Sequence, residues 1–510
     1  MITVDEIRAV PIFSDLGEPE LERLSKRSAD IRLQAGEYAA HEGDGRALFV
    51  VLEGEANVTR NVDGTERVVG KRVAGDVFGE VPIVLGTPFL ASLRAATTVR
   101  LMRIEPREFH AVCATEPELA AQIGALAKDR IEGLHDLAAE QPAPRATIVG
   151  DRYDSQCREL RDFLDLNGVT FDWITPDDPE LPARVPGFGG IKGRYPAVAL
   201  DGGGLLIRPQ QRELARRLGL TTTPAFASYE TVIIGGGPAG LAAAVYGASE
   251  GLRTLMIERE APGGQAGTSS RIENYLGFPN GVTGGELAGR ALAQAKRFGA
   301  EILVTRSVID IDHDTREIEL DGGEVVNAGT IILATGVSWR RIPLEGFEEL
   351  TGRGIYYGAS QSEASTLAGL DVFLIGAGNS AGQAAMYFSS YARTVTLIVR
   401  GSSLEKSMSH YLVEQLGTKE NVKIRLGAEV TAVHGSDHLE TLDVTEKKTG
   451  VTERVAAAAL YVFIGADAET KWLPAAIDRD ERGYILTGEE AGKSGNWRLQ
   501  RDPYLLETSV

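Results

Sequence analysis

Cysteine is almost absent from this chain: Cys113 and Cys157 are the only two in 510 residues. So small a supply excludes a disulfide framework and a cysteine-based zinc site, and it fits a reducing, cytoplasmic setting; no metal site is expected. Basic residues are also short, with 53 Lys and Arg against 72 Asp and Glu, a net charge of -19. That balance argues against nucleic acid and anionic membranes as partners, since both need a basic face. No apolar run is long enough to span a bilayer. The most apolar stretch, VAAAALYVFIGA from Val455, reads as a buried strand. The opening MITVDEIRAVPIFSDLG has early acids and no apolar core, unlike a signal peptide.

What is present is length and glycine. The chain has room for three or four domains. Two proline-containing stretches, AAEQPAPRA (138–146) and TTTPAFASYE (221–230), read as linkers and divide it into blocks 1–140, 145–222 and 229–510. Within the last block, VIIGGGPAG and FLIGAGNSA echo each other, which suggests two related nucleotide-binding units. The fold class expected is multidomain: a β jelly roll with helices, a small α/β domain, then two Rossmann-like α/β units.

In the first block glycines recur at short spacing (Gly36, Gly43, Gly45, Gly54, Gly64, Gly70, Gly75), with short apolar runs between them. That pattern suits a small barrel or jelly roll of many short strands, followed by helices. Cys113 falls on an apolar helical face and reads as core. GDVFGEVPIVLGTP (75–88) resembles the phosphate-binding cassette of cyclic nucleotide-binding domains. The resemblance implies that Phe78, Gly79 and Glu80 open a short helix, with Gly79 near a cyclic phosphate and Glu80 on a ribose hydroxyl. The family's phosphate-pairing arginine is replaced by Phe89. Arg94, five residues on, points to the other face of an extended strand. The domain is expected to be either a nucleotide sensor or a degenerate or retuned one.

The second block reads strand, helix, strand, then hairpin and helix, and resembles a thioredoxin or glutaredoxin fold. In that family a Cys-x-x-Cys opens the first helix, where the dipole lowers a thiol pKa. Here the four positions are Asp154, Ser155, Gln156 and Cys157, so the nucleophilic cysteine is missing. Pro196 matches the family's cis-proline. The block reads as a redox-dead spacer or docking domain; the sharper alternative gives Cys157 a role in mixed disulfides.

The third block carries chemistry. Gly235-x-Gly237-x-x-Gly240 follows an apolar strand, opens a helix and is followed by Glu258 after a second strand. Gly235 permits the turn, Gly237 admits a diphosphate, Gly240 lets helix pack on strand, and Glu258 would accept from a ribose hydroxyl. The second unit has Gly376-x-Gly378-Asn379-Ser380-Ala381, and its second strand ends in Arg400 rather than an acid. Arg400, Ser402, Ser403 and Lys406 supply charge and hydroxyls for a 2′-phosphate, so NADPH is preferred, with NADH as the alternative. Two such sites imply FAD in the first and a nicotinamide in the second.

These motifs together resemble low-molecular-weight thioredoxin reductase, and the front end is similar to bacterial proteins that fuse a cyclic nucleotide-binding domain to such a reductase. The resemblance implies flavin contacts from Gly263, Gly264, Gln265 and Asn274 in PGGQAGTSSRIENYLGFP, and from Ala334, Thr335 and Gly336 in IILATGV. It implies an FAD-binding domain over 229–349 and 468–510, an NAD(P)H-binding domain over 350–467, and a homodimer. The likeness breaks twice. The family's Cys-x-x-Cys-Asp aligns with Gly358, Gln361 and Ser362, so no internal dithiol relay exists. The family's final Gly-Asp flavin motif and helix have no counterpart before Val510. Either the sequence is truncated or FAD binding is weakened, with a sheet edge left unpaired.

The expected function is thus an FAD-dependent NAD(P)H oxidoreductase. Hydride would pass from NADPH to flavin and on to a redox protein, a quinone or another soluble acceptor. No side chain is named as catalytic, because positioning suffices for the first half-reaction. The alternatives are a ligand-sensing module, with a nucleotide effector and a vestigial reductase, and a disulfide reductase using cysteines from a partner.

Overall fold

The structure, a computed structural model, describes all residues except 1, 63–64, 140–143, 152, 186–188, 190–192, 270, 280 and 359–366. It divides into two compact units, Met1–Ala143 and Pro144–Val510.

The first unit is a jelly roll of two four-stranded antiparallel sheets. Its central strand, Leu48–Glu53, shows why a short apolar run is buried on both faces. Leu48 and Val50 pack with Phe13, Leu21, Leu24 and Phe109 of the flanking helical segments. Phe49 and Val51, one residue out of phase, pack with Val58, Leu93 and Leu101 between the sheets. The helix Val4–Arg8 begins on a capping box between Thr3 and Glu6. Helices Pro106–Thr115 and Pro117–Ala139 close the unit.

The second unit opens with the thioredoxin-like sheet, ordered Phe171–Ile174, Ala146–Val149, Ala197–Leu200, Leu205–Ile207. The first pair is parallel and the rest antiparallel. The motif helix, Ser155–Leu166, is capped by Asp154, whose carboxylate accepts from Cys157 N at 2.7 Å. The Tyr195–Pro196 bond is cis.

Next comes a six-stranded sheet. Glu301–Leu303, Thr254–Ile257, Ser228–Ile234 and Val325–Leu333 run parallel, and two antiparallel strands follow. Among the described residues, Thr330–Leu333 has a strand neighbour on one side only. A second Rossmann-like sheet has five parallel strands: Ile355–Tyr357, Ala459–Val462, Asp371–Ile375, Thr394–Val399 and Val422–Leu426. A two-stranded ribbon, Val337–Trp339 against Ala466–Ala468, carries the chain out and back. Phe347 packs in the core of the second sheet, together with Phe373 and Leu460.

The run from Val455 makes two strands rather than one. Thr452–Ala456 ends a small antiparallel sheet, and Ala459–Val462 enters the parallel sheet. Between them the Ala457 and Ala458 amides donate to Glu440 O and Asp371 O, so the chain changes sheets without stranding its backbone groups.

Candidate functional site

The first glycine turn follows directly from the strand Ser228–Ile234. Gly235 has φ +106°, and a Cβ there would run into the carbonyl oxygen of Ala334. A Cβ on Gly240 would strike Gly235 O, so only glycine lets the helix Pro238–Ser249 lie this close to its strand. Gly237 differs: a Cβ there meets nothing within 4 Å. Its openness is a cradle rather than a packing need.

Glu258 lies beneath this turn, only 8% exposed. Its two carboxylate oxygens accept from Gly236 N at 2.7 Å and Glu260 N at 2.9 Å. Burial pushes its carboxyl up from the ordinary glutamate value. Gly263 donates its N–H to Gly236 O at 2.8 Å, and the Cβ position of Gly264 is 3.0 Å from Gly237 Cα. The loop at 263–267 is therefore moulded onto the glycine turn. Gln265 Nε2 donates to Val337 O at 2.7 Å, which ties the same loop to the ribbon. Ala334 N donates to Ile234 O, and Gly336 takes φ +68°. Ala334 and Thr335 thus border Gly235, with Gly336 next along the chain. Asn274 stands exposed in a later turn.

The second turn repeats the logic. Gly376 faces Phe463 O too closely for any side chain, whereas Gly378 has only Ser407 O, at 4.0 Å from its Cβ position. The Asn379 side chain is held by Ser409, donating to Oγ at 2.9 Å and accepting from N at 2.7 Å. Ala381 is fully buried and Ser380 exposed. Arg400 and Lys406 stand exposed at the rim. The Ser403 hydroxyl is taken by Glu405.

Both turns fit a dinucleotide. Their first glycines are required by the fold, and Gly237 and Gly378 leave backbone uncovered where a diphosphate would pass.

The sulfur positions are different. Gly358 ends the strand Ile355–Tyr357 with φ +84°, and its Cβ position lies 3.8 Å from both Thr268 Oγ1 and Trp339 Cζ2. Gln361 and Ser362 lie outside the described residues. Cys157 is fully buried, and burial pushes its thiol up to about 12.

In the first unit an aromatic ring packs against the cassette. Phe89 is 3% exposed, and its Cε1 lies 3.0 Å from the Cβ position of Gly79. Glu80 is 3% exposed and faces Arg130 Nη1 at 2.9 Å. That nitrogen aims its hydrogen bond at Val77 O, 2.7 Å away, so the contact with Glu80 is ionic. Sequence reading missed Arg130, because nothing local marks a partner 50 residues downstream. It also missed Arg306, 1% exposed, which pairs with Asp321 at 2.9 Å and with Glu324.

Comparison with known proteins agrees with this geometry. Residues 229–493 match the family described as pyridine nucleotide-disulphide oxidoreductase, and residues 30–116 match the cyclic nucleotide-binding domain. The chain is 34% identical to the thioredoxin reductase of Peptoclostridium litorale over 268 residues, 51% of this chain and 84% of that protein. It is 31% identical to the thioredoxin reductase of Streptomyces clavuligerus over 256 residues, 50% of this chain and 79% of that protein. The bifunctional thioredoxin reductase/thioredoxin of Mycobacterium leprae is 33% identical over 271 residues, 52% of this chain and 58% of that protein. The chain belongs to the pyridine nucleotide-disulphide oxidoreductase family. Within it, this is a thioredoxin reductase-like FAD-dependent NAD(P)H oxidoreductase with a cyclic nucleotide-binding domain.

Proposed function

We propose that this chain oxidises NADPH through FAD and hands the electrons to an acceptor reached without a dithiol of its own. The observation that carries the reading is Gly358: a chain with two dinucleotide-type glycine turns has no sulfur at this strand end. When bound, FAD supplies the hydride-accepting ring and NADPH the hydride. Gly235, Gly237 and Gly240 shape the FAD turn. Glu258 retains lone pairs for a ribose hydroxyl beyond the two backbone hydrogen bonds it accepts. Gly263, Gly264, Gln265, Ala334, Thr335 and Gly336 wall the flavin side, with Asn274 at its margin. Gly376, Gly378, Asn379, Ser380 and Ala381 form the nicotinamide turn, and Arg400 and Lys406 meet the 2′-phosphate. The domain reading is 1–140, 145–222, 229–349 with 468–510, and 350–467. The first domain, with Phe89 against Gly79 and Arg130 on Glu80, acts through packing rather than by binding a cyclic nucleotide. Quinones and one-electron redox proteins are the acceptor classes that need no thiol.

The test is an anaerobic absorbance titration of the full chain with FAD, then NADPH. A retained flavin band, roughly at 450 nm, should bleach and return on adding a benzoquinone but not oxidised thioredoxin. No retained flavin, or turnover that depends on thioredoxin, overturns the reading.

A further inference from the structure

The motif end of the thioredoxin-like domain is half-buried against other parts of the chain. Ser155 Cβ lies 3.0 Å from the Cβ position of Gly352, whose φ is +82°. The Tyr153 ring stacks on the imidazole of His438, with centroids 4.4 Å apart and planes 15° from parallel. The Arg158 guanidinium sits 4.2 Å from the ring centroid of Tyr356. Close backbone approach, an aromatic stack and a cation over a ring all come from five or six consecutive positions of one helix start. All three land on the nicotinamide-side domain, and Tyr356 belongs to the strand that ends beside Gly358.

The same domain is also fixed to the flavin side. Arg212 donates to Thr305 O at 3.0 and 2.7 Å and pairs with Asp321. Leu166 Cδ2 lies 3.6 Å from the Cβ position of Gly267. One apolar cluster runs from Leu160 and Phe163 into Leu241 and Ala244.

In a thioredoxin fold, the start of this helix is where an activated thiol meets a partner's sulfur. Here that end is pressed against the strand that delivers Gly358, and neither side offers a reactive sulfur. We propose that the thioredoxin-like domain is a built-in occupant of this face: it docks in cis where a free thioredoxin-fold protein would have to approach, and it closes the face to such partners. The name of the face rests on the reductase reading; the contact itself does not.

The test uses the full chain carrying Tyr153→Cys and His438→Cys, treated with a short bismaleimide. The expected product is one intramolecular link joining the two peptides, its yield unchanged by excess free oxidised thioredoxin. Two separately labelled thiols, or a yield that falls as thioredoxin is added, overturns the proposal. The unmodified chain gives a second measurement. Hydroxyl-radical footprinting should modify Tyr153 more slowly than Tyr246, which is 73% exposed, by about threefold or more. Equal rates overturn it. The link requires no flavin, so a chain that fails to bleach yet links cleanly contradicts only the proposed function.

Discussion

Phe89 lies flat on Phe78, the ring planes 2° from parallel and the centroids 5.2 Å apart. A ring therefore fills the position from which a cyclic nucleotide-binding domain would present its arginine. Calorimetric titration with cAMP should show no saturable heat. Phe89→Arg should not rescue binding, because it places a charge in the apolar layer between the sheets. It should destabilise the first unit by about 3 kcal/mol or more in urea melts. Saturable binding to the unmodified chain would refute the packing role.

The two open cradles predict a contrast between neighbouring glycines. Gly235→Ala meets Ala334 O at a positive φ and should unfold the flavin domain or lower its melting temperature sharply. Gly237→Ala meets nothing, so the apo chain should melt as before. Its affinity for FAD should nonetheless fall by about tenfold or more, read by flavin fluorescence on ultrafiltration. Equal losses of stability in the two variants would assign both glycines to packing.

Cys157 predicts an alkaline limb. The folded thiol holds its proton up to about 12, whereas the unfolded thiol ionises near 9.0. The folded pKa is the higher one, so the contribution is full below 9.0 and shrinks as pH rises towards 12. The slope is at most about 1.4 kcal/mol per pH unit. Cys157→Ala should flatten this limb in urea melts. Iodoacetamide at mildly alkaline pH should label Cys157 only after denaturation; rapid native labelling would revive a mixed-disulfide role.

Arg306→Met should cost about 2 kcal/mol, since it takes the cation from Glu324, leaves Asp321 to Arg212 alone and frees Thr222 O. The Arg306 hydrogen bond holds the Glu324 carboxyl below its ordinary value. That contribution is present above the ordinary glutamate range and is lost as pH falls through the depressed pKa. The variant should therefore lose less stability than the parent on acidification, as measured by thermal melts across acid pH.

How much of this was legible in sequence depends on how far apart the deciding residues lie. Gly235, Gly237, Gly240 and Glu258 share one strand–turn–helix–strand unit, so spacing alone exposes them. The continuous apolar run at 48–51 is visible there too, although its division between two cores appears only in the structure. Arg130 on Glu80, Tyr153 on His438 and Arg212 on Thr305 join residues between 50 and 285 positions apart. No local pattern encodes those meetings; tertiary packing creates them. Gln265 is an intermediate case: its motif is legible, yet its amide hydrogen bond goes to Val337 O, across the ribbon.

Val337 and Ala468 face each other across that ribbon, so the chain enters and leaves the region of the second Rossmann-like sheet at one point. Such a guest closes on itself regardless of its host. During synthesis all six strands of the flavin-side sheet emerge before the guest, but Leu473 and Ile477, which complete its core, emerge only after it. A mutation that merely slows the guest should therefore leave the host half-assembled on the ribosome, and its first symptom would be a nascent chain sensitive to protease at sites far from the altered residue.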